Sequence, residues 1–308
     1  MKYNKLESFF IKAGLIQDPT DRYSNTGTLY PIPKMVNEDI DLTEVIDSKT
    51  IELSKKYDTI YLMWSGGIDS TTALFSFIKN KLPLTVLITG NSIKEYPSCH
   101  NDIINGAYPN IKFINVKDTN DIVGLDLENS TILTGELGDQ VMGSALTMFY
   151  SKRYREMHYS QILAEEFTDL TEESIISLLG TADLNVGEYL WAINFIFKYE
   201  NVYKRIAKNY KDLLNTDIPV EHFFHSDGFQ LWSIQKYKEH ANYDNKYLYK
   251  IAFKEYIHSV NGDDLYLKYK RKLDSLQHSK LYTRCFDHHM VDSCLTILNK
   301  PGYEDVSV

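Results

Sequence analysis

Two short stretches of this chain carry residue types that together can hold a phosphate chain and a metal ion. The first is Ser65-Gly-Gly-Ile-Asp-Ser70. Adjacent glycines let a backbone approach a phosphate closely, and Ser65 and Ser70 add hydroxyl donors. Asp69 is the odd member, because a carboxylate beside phosphate repels it unless a cation sits between them. The second stretch, Thr134-Gly-Glu-Leu-Gly-Asp139, adds two more carboxylates, Glu136 and Asp139. Asp69 and Asp139, brought together from separate loops, supply oxygens to an octahedral Mg²⁺ shell that phosphate oxygens complete. Glu136 is then left for proton transfer or a substrate contact. Each stretch also has a plainer reading: a glycine turn, and acids at a helix start where the dipole favours them.

These residues act together only if the fold delivers them to one place. Thr59 to Trp64 is a short apolar, β-branched and aromatic run, the pattern of a buried strand. Thr71 to Lys81 has Ala73, Leu74, Phe77 and Ile78 at helical core spacing. Strand, glycine turn and helix in sequence aim unpaired N–H groups and the helix dipole at an anion. Leu84–Thr89, Lys112–Val116 and Thr131–Thr134 read as further strands, with a helix over Asp41–Lys56 and mixed helix and loop over Ile93–Tyr108. This alternation implies βαβ units and a parallel sheet. Ligands of such sheets bind at the carboxyl ends of the strands, where Ser65 and Gly135 fall.

From Gln140 onward strand signals nearly vanish. Helical periods recur at 142–150, 154–166, 171–179, 186–213, 229–240, 245–257, 264–275 and 288–298, and Leu6–Ala13 reads as a short helix before a polar loop over Asp18–Pro33. The expected organisation is an N-terminal segment 1–40, an α/β nucleotide-binding, Rossmann-like core over 41–150, and an all-helical region 151–308 that completes the site.

The composition, 43% hydrophobic and 24% charged over 308 residues, is that of a globular chain with area for a sizeable core. The net charge of -9 opposes a nucleic-acid backbone as main partner. Cys99, Cys285 and Cys294 form no C-x-x-C and no zinc spacing, which points to a reducing compartment. No apolar stretch approaches the ~18 residues of a membrane span, and no signal-peptide core leads the chain. A cytoplasmic protein is expected, without membrane or nucleic-acid partners.

Neither a Walker A loop nor a Gly-x-Gly-x-x-Gly fingerprint is present. Ser65–Ser70 instead resembles the Ser-Gly-Gly-x-Asp-Ser loop of the PP-loop ATP pyrophosphatases, which holds the β,γ-pyrophosphate of ATP. The second stretch resembles the Ser-Gly-Glu-Gly-Ser-Asp-Glu segment of the asparagine synthetases: Gly135, Glu136 and Asp139 match, while Leu137, Gly138 and Gln140 depart. Asp244–Tyr256 is similar to that family's Lys-x-x-Leu-Arg-x-Ala-Phe-x-x-Tyr helix. Lys268, Lys270, Arg271 and Lys272 follow where the family has Arg-x-Lys with a catalytic lysine. The likeness spans about residues 40–285, the synthetase domain alone.

The resemblance implies an ATP-dependent ligase that adenylates a carboxylate, releases pyrophosphate, and lets ammonia or an amine displace AMP to form an amide. β-Lactam synthetases and lasso-peptide cyclases are similar enzymes that close a ring this way. ATP and Mg²⁺ are the implied cofactors. The expected nucleotide contacts are Met63, Ser65, Gly66, Gly67, Asp69, Ser70, Thr89, Thr134 and Gly135; Asp69 and Asp139 are the expected metal ligands. Glu136 matches the family's catalytic glutamate. Lys272 fits the lysine frame best and Lys270 second, a role that suits an ammonium because charge builds on the α-phosphate during attack.

Two departures matter. Residues 1–40 are too short for the family's glutaminase domain, and position 2 is Lys2, so ammonia or an amine is the expected nitrogen source. The family's Glu-x-Arg-x-Pro-Phe-Leu-Asp segment is replaced by His222-Phe-Phe-His-Ser-Asp-Gly-Phe-Gln-Leu-Trp232, in which His222, His225 and Asp227 are candidates for an acceptor pocket. Adjacent His288 and His289 diverge by about 100° on a helix and are poor joint metal ligands. Two other readings stand beside the ligase. One is adenylation of a nucleobase carbonyl, disfavoured by the missing C-x-x-C and the acidic balance. The other is a non-catalytic nucleotide binder, disfavoured by the intact Asp69, Glu136 and Asp139.

Overall fold

The structure, a computed structural model, describes residues 32–88, 92–116, 120–123, 125, 128–143, 175–192, 194–196, 199, 202–203, 219–241 and 248–270. Its centre is a five-stranded sheet in the order β3-β2-β1-β4-β5. The strands are Thr59–Trp64 (β1), Leu84–Ile88 (β2), Ile111–Asn115 (β3), Ser130–Thr134 (β4) and Val220–His222 (β5). Every pairing is parallel. Such sheets are covered on both faces, and their strands are near-continuously apolar. Leu62 stands opposite Val86 on one side and Leu133 on the other, and water reaches none of the three.

The helices are Leu42–Lys56 (α1), Ile68–Lys79 (α2), Ser92–Glu95 (α3), Pro97–Ile104 (α4), Asn120–Val123 (α5), Gly138–Met142 (α6), Asp227–Gln235 (α7), Tyr237–Ala241 (α8), Ile251–Asn261 (α9) and Asp264–Tyr269 (α10). The backbone is also helical over 175–179 and 186–192. α2 is the hub: β1, α1 and α9 all pack against it. Residues 70–77 of α2 are buried all round, so its polar groups must be satisfied internally. Thr72 Oγ1 donates to Ile68 O (2.9 Å), Thr50 Oγ1 to Ser76 Oγ (2.7 Å), and Trp64 Nε1 to Thr71 Oγ1 (3.0 Å).

The sequence places the start of α2 at Thr71; the helix begins three residues earlier. Apolar spacing marks only the core-facing turns, whereas the start is set by Gly67, which is extended (φ -70°, ψ 161°) and serves as N-cap. Asp69 and Ser70 therefore lie in the first helical turn rather than in a loop.

The all-helical reading beyond residue 150 needs correction, because β5 lies inside it. Val220-Glu-His is too short to show an alternating pattern, and only the open edge of β4 calls it into the sheet. Ile132, Leu133 and Thr134 stand opposite Val220, Glu221 and His222, and Thr131 Oγ1 donates to Pro219 O (2.9 Å). The 229–240 period is two helices, α7 and α8, that meet at Lys236. The expected helices at Leu6–Ala13, 154–166 and 288–298, and most of 142–150, lie outside the described residues. Among the described residues, no helix is long and apolar enough to cross a membrane.

Candidate functional site

In the order β3-β2-β1-β4-β5, the chain leaves β1 toward β2 on one side and later fills β4 and β5 on the other. The junction of β1 and β4 is thus a topological switch point, where open α/β sheets leave a crevice outside the strand ends. The loops after β1 and β4 meet there. A Cβ on Gly135 would lie 2.6 Å from Ser70 N and 2.9 Å from Ser70 Cα, so only glycine permits the contact. A Cβ on Gly138 would collide with the Asp69 carboxylate. Gly66 takes φ +78°, and a Cβ there would sit 2.6 Å from Glu95 Cβ. Ser92 Oγ secures the outside of this turn by donating to Trp64 O (2.6 Å).

Within the first loop, Ser65 Oγ and Ser70 Oγ are 3.0 Å apart. Ser65 N–H donates to Ser70 Oγ (3.2 Å), and Gly67 N–H donates to Ser65 Oγ (3.2 Å). The N-cap residue of α2, Gly67, carries no side chain to cap the helix. The first N–H groups of a helix lack intrahelical partners, and the dipole there favours an anion.

The two aspartates converge on one cation, and that cation belongs to the protein. Lys250 Nζ lies 2.6 and 2.5 Å from the two Asp69 carboxylate oxygens and 2.7 Å from Asp139 Oδ1. The lysine side chain is 2% exposed. Burial pulls its pKa down, but the charges of Asp139 and then Asp69 outweigh this and hold the ammonium above its ordinary range. Tyr249 OH donates to Asp139 Oδ1 (2.7 Å). The lysine backbone is left-handed, φ 53°, immediately before α9.

Mg²⁺ can be tested against this arrangement. The donors suit it: two hard carboxylates from two loops are what Mg²⁺ takes when it shares a site with phosphates. The ammonium is the stand-in for the ion. A divalent ion cannot join it, since two such charges about 4 Å apart repel by several kcal/mol even at an effective dielectric near 20. The residues therefore fit the ion once Lys250 has moved. Among the described residues, no group of three or more His, Cys, Asp or Glu side chains gathers around a single point.

A buried chain of hydrogen bonds sets the second loop. Glu136 N–H donates to Thr134 Oγ1 (3.2 Å), which leaves the threonine hydroxyl to donate to His222 Nδ1 (2.6 Å). His222 Nε2 then donates to Tyr203 O (3.3 Å). These partners assign the tautomer. Burial keeps the ring neutral, with its pKa pushed down to about 4. Beyond Glu136, Leu137 is left-handed at φ 73° and starts α6. Asn194 Nδ2 donates to Asp139 O (2.7 Å), and Asn194 Oδ1 accepts from Gln140 Nε2 (3.2 Å).

Lys270 lies against Glu95, beside the first loop. Its Nζ donates to both the carbonyl and the carboxylate of Glu95, each at 2.6 Å, and the Glu95 Cβ is the atom packed against Gly66. Burial lowers the Lys270 pKa, and Glu95 only partly offsets it. Lys254, one helical turn after Lys250, caps α10 by donating to Leu267 O (3.0 Å) and Lys270 O (3.2 Å). Its pKa is pushed down to about 8 by burial.

The structure thus brings together Ser65, Gly66, Gly67, Asp69, Ser70, Gly135 and Asp139, with Thr134 and Glu136 on the second loop. Met63 is apart from this group, packed partly buried against Ile122 and Ile132. Thr89 and Lys272 lie outside the described residues. The acceptor-pocket candidates divide: His222 is fully buried in the strand-end network, Asp227 is exposed on the first turn of α7, and His225 stands against Tyr199 and Tyr203. His222 belongs to the scaffold because β5 carries it under the sheet end. Sequence reasoning missed Lys250, although it lies in the Asp244–Tyr256 stretch singled out there; a basic residue just before the Ala252-Phe253 pair was the available signal.

No protein-family model and no curated protein matches the chain, so residues and geometry carry the functional argument.

Proposed function

We propose that this chain is an ATP-dependent, AMP-forming ligase of the PP-loop ATP pyrophosphatase kind. It would adenylate a carboxylate and join it to ammonia or an amine as an amide. One observation carries the reading: the Ser65–Ser70 loop and the Gly135–Asp139 loop touch at the switch point of a parallel sheet, through glycines that tolerate no side chain. A phosphate chain laid across that contact meets the α2 N-terminus and the two serine hydroxyls. Mg²⁺ held by Asp69 and Asp139 would supply charge neutralisation of the pyrophosphate.

The chain's own residues do the rest. Gly66 and Gly67 let the backbone close on the phosphates, and Ser65 and Ser70 re-aim hydroxyls that otherwise satisfy each other. Lys270, or Lys272 beyond it, stabilises charge growing on the α-phosphate. Glu136, whose backbone N–H donates to Thr134 Oγ1, is the group that would take the proton of the attacking amine. The test is product analysis. Purified protein with ATP, Mg²⁺, ammonium and a panel of small carboxylates should yield AMP and pyrophosphate. Release of ADP and phosphate instead would sink the reading.

A further inference from the structure

We propose that Lys250 is a displaceable resident cation: in the nucleotide-free protein its ammonium occupies the metal position between Asp69 and Asp139 and keeps free divalent ions out. The inference rests on the proposed metal role of these aspartates, and it adds a residue that the role itself does not require.

Three observations carry it. The ammonium touches both carboxylates, at 2.5–2.6 Å and 2.7 Å, so it sits where an ion bridging them would sit. It is lodged there at 2% exposure, on a side chain whose flexible four-carbon stem can withdraw it. The backbone at the site also stores strain. Among the described residues, four non-glycine positions have positive φ, Lys81, Asn129, Leu137 and Lys250, and the last two flank this carboxylate pair. Left-handed non-glycine residues persist where their surroundings hold them, and they concentrate at switching sites. At Lys250 the carbonyl accepts from Phe253 N–H (3.1 Å) and Lys254 N–H (3.2 Å), so the start of α9 holds this backbone while the side chain carries the ammonium.

Charge explains the order of events. Two carboxylates and one ammonium leave a single net negative charge. A free divalent ion would have to evict the lysine for that small attraction. An ion that arrives already bound to a polyphosphate brings anionic oxygens to receive the evicted ammonium. Lys250 therefore couples cation entry to nucleotide entry and is a positioning residue, not a catalytic one.

Mn²⁺ serves as the probe, counted by electron paramagnetic resonance with no nucleotide or substrate present. Wild-type protein should bind it weakly. Lys250→Met, which keeps the stem and removes the charge, should bind it about tenfold more tightly or better, and the gain should vanish in Lys250→Met/Asp139→Asn. Equal affinity in wild type and Lys250→Met, whether strong or absent in both, overturns the proposal. Should Lys250→Met fail to fold, wild type decides alone: its unfolding temperature should not move in millimolar Mn²⁺, and a rise that Asp139→Asn abolishes would overturn the proposal. None of these readouts depends on ATP turnover, so failure of the ligase reading and failure of this one stay distinct.

Discussion

Two buried lysines stand by the Ser65–Ser70 loop, Lys250 on Asp69 and Asp139 and Lys270 on Glu95 beside Gly66, and they answer burial in opposite ways. Lys250 lies between two carboxylates and keeps its charge above the ordinary range. Lys270 has the Glu95 carboxylate, and burial pulls its pKa down. At Lys250 two carboxylates outweigh burial; at Lys270 burial outweighs one. This difference separates their roles. The Lys250 wall is a cation site filled by the protein itself; the Lys270 wall holds a lysine whose charge burial disfavours.

The strongest way to break this contrast is to strip Lys250 of both partners. Asp69→Asn/Asp139→Asn should leave a buried charge uncompensated and lower stability by about 3–5 kcal/mol, read as a fall in the urea midpoint. ATP turnover should drop to background in the same variant. Asp139→Asn alone should bring Lys250 nearer to the Lys270 case, with an intermediate loss. A double variant with a wild-type midpoint would show that the pair does not compensate the lysine.

The Lys270 wall should respond in rate more than in stability. Lys270→Met should slow AMP formation roughly 10²–10³-fold, the scale for losing a donor to transition-state charge, with little change in ATP affinity. Sequence spacing favours Lys272 for this role, but Glu95 fixes Lys270 against the Gly66 turn. A silent Lys270→Met beside a crippled Lys272→Met would return the assignment to the spacing.

The contrast also measures how far the sequence could be read. β1, β2 and β4 were legible because each is a short apolar or β-branched run bounded by turns, β3 because it alternates with the helices around it, and both site loops because glycines and acids concentrate in them. β5 was not, since a three-residue strand has no period and exists only through pairing with β4. Convergence of Asp69 and Asp139 follows from placing both loops at strand ends. Lys250 between them does not: it comes from 181 positions beyond Asp69, and no spacing encodes that contact.

Buried histidine extends the rule to a group without a carboxylate in its hydrogen-bond chain. The His222 pKa falls from 6.5 to about 4 through burial. Its folded pKa lies below the unfolded one, so the unfolded chain binds the extra proton between these values. Stability from His222 is complete above pH 6.5 and is lost as pH falls toward 4, by about 3 kcal/mol in all. His222→Gln keeps hydrogen-bonding capacity without the titration. Its urea midpoint should fall less than that of wild type between pH 7 and pH 4.5, and identical losses would remove His222 from the acid response.

The smallest expected effect is none, at Cys99. A glutamine-dependent amidotransferase needs an activated nucleophile, usually a thiol lowered in pKa beside a base. Cys99 is the reverse case: it is buried on α4, and burial, then the charges of Asp102 and Asp263, push its thiol up. His100 follows it on the same helix, where neighbours diverge by about 100° and cannot form a dyad. By the logic that separates Lys250 from Lys270, a buried ionisable group without a partner of opposite charge stays neutral, and a neutral thiol does not attack glutamine. Ammonium, or an amine on the substrate, should therefore support turnover, and glutamine should not. Cys99→Ala should leave the ammonium-dependent rate of AMP formation unchanged, measured beside wild type with either nitrogen source. Glutamate released from glutamine in step with AMP, and lost in Cys99→Ala, would mean that a partner charge reaches this thiol during the reaction and that burial had been given too much weight.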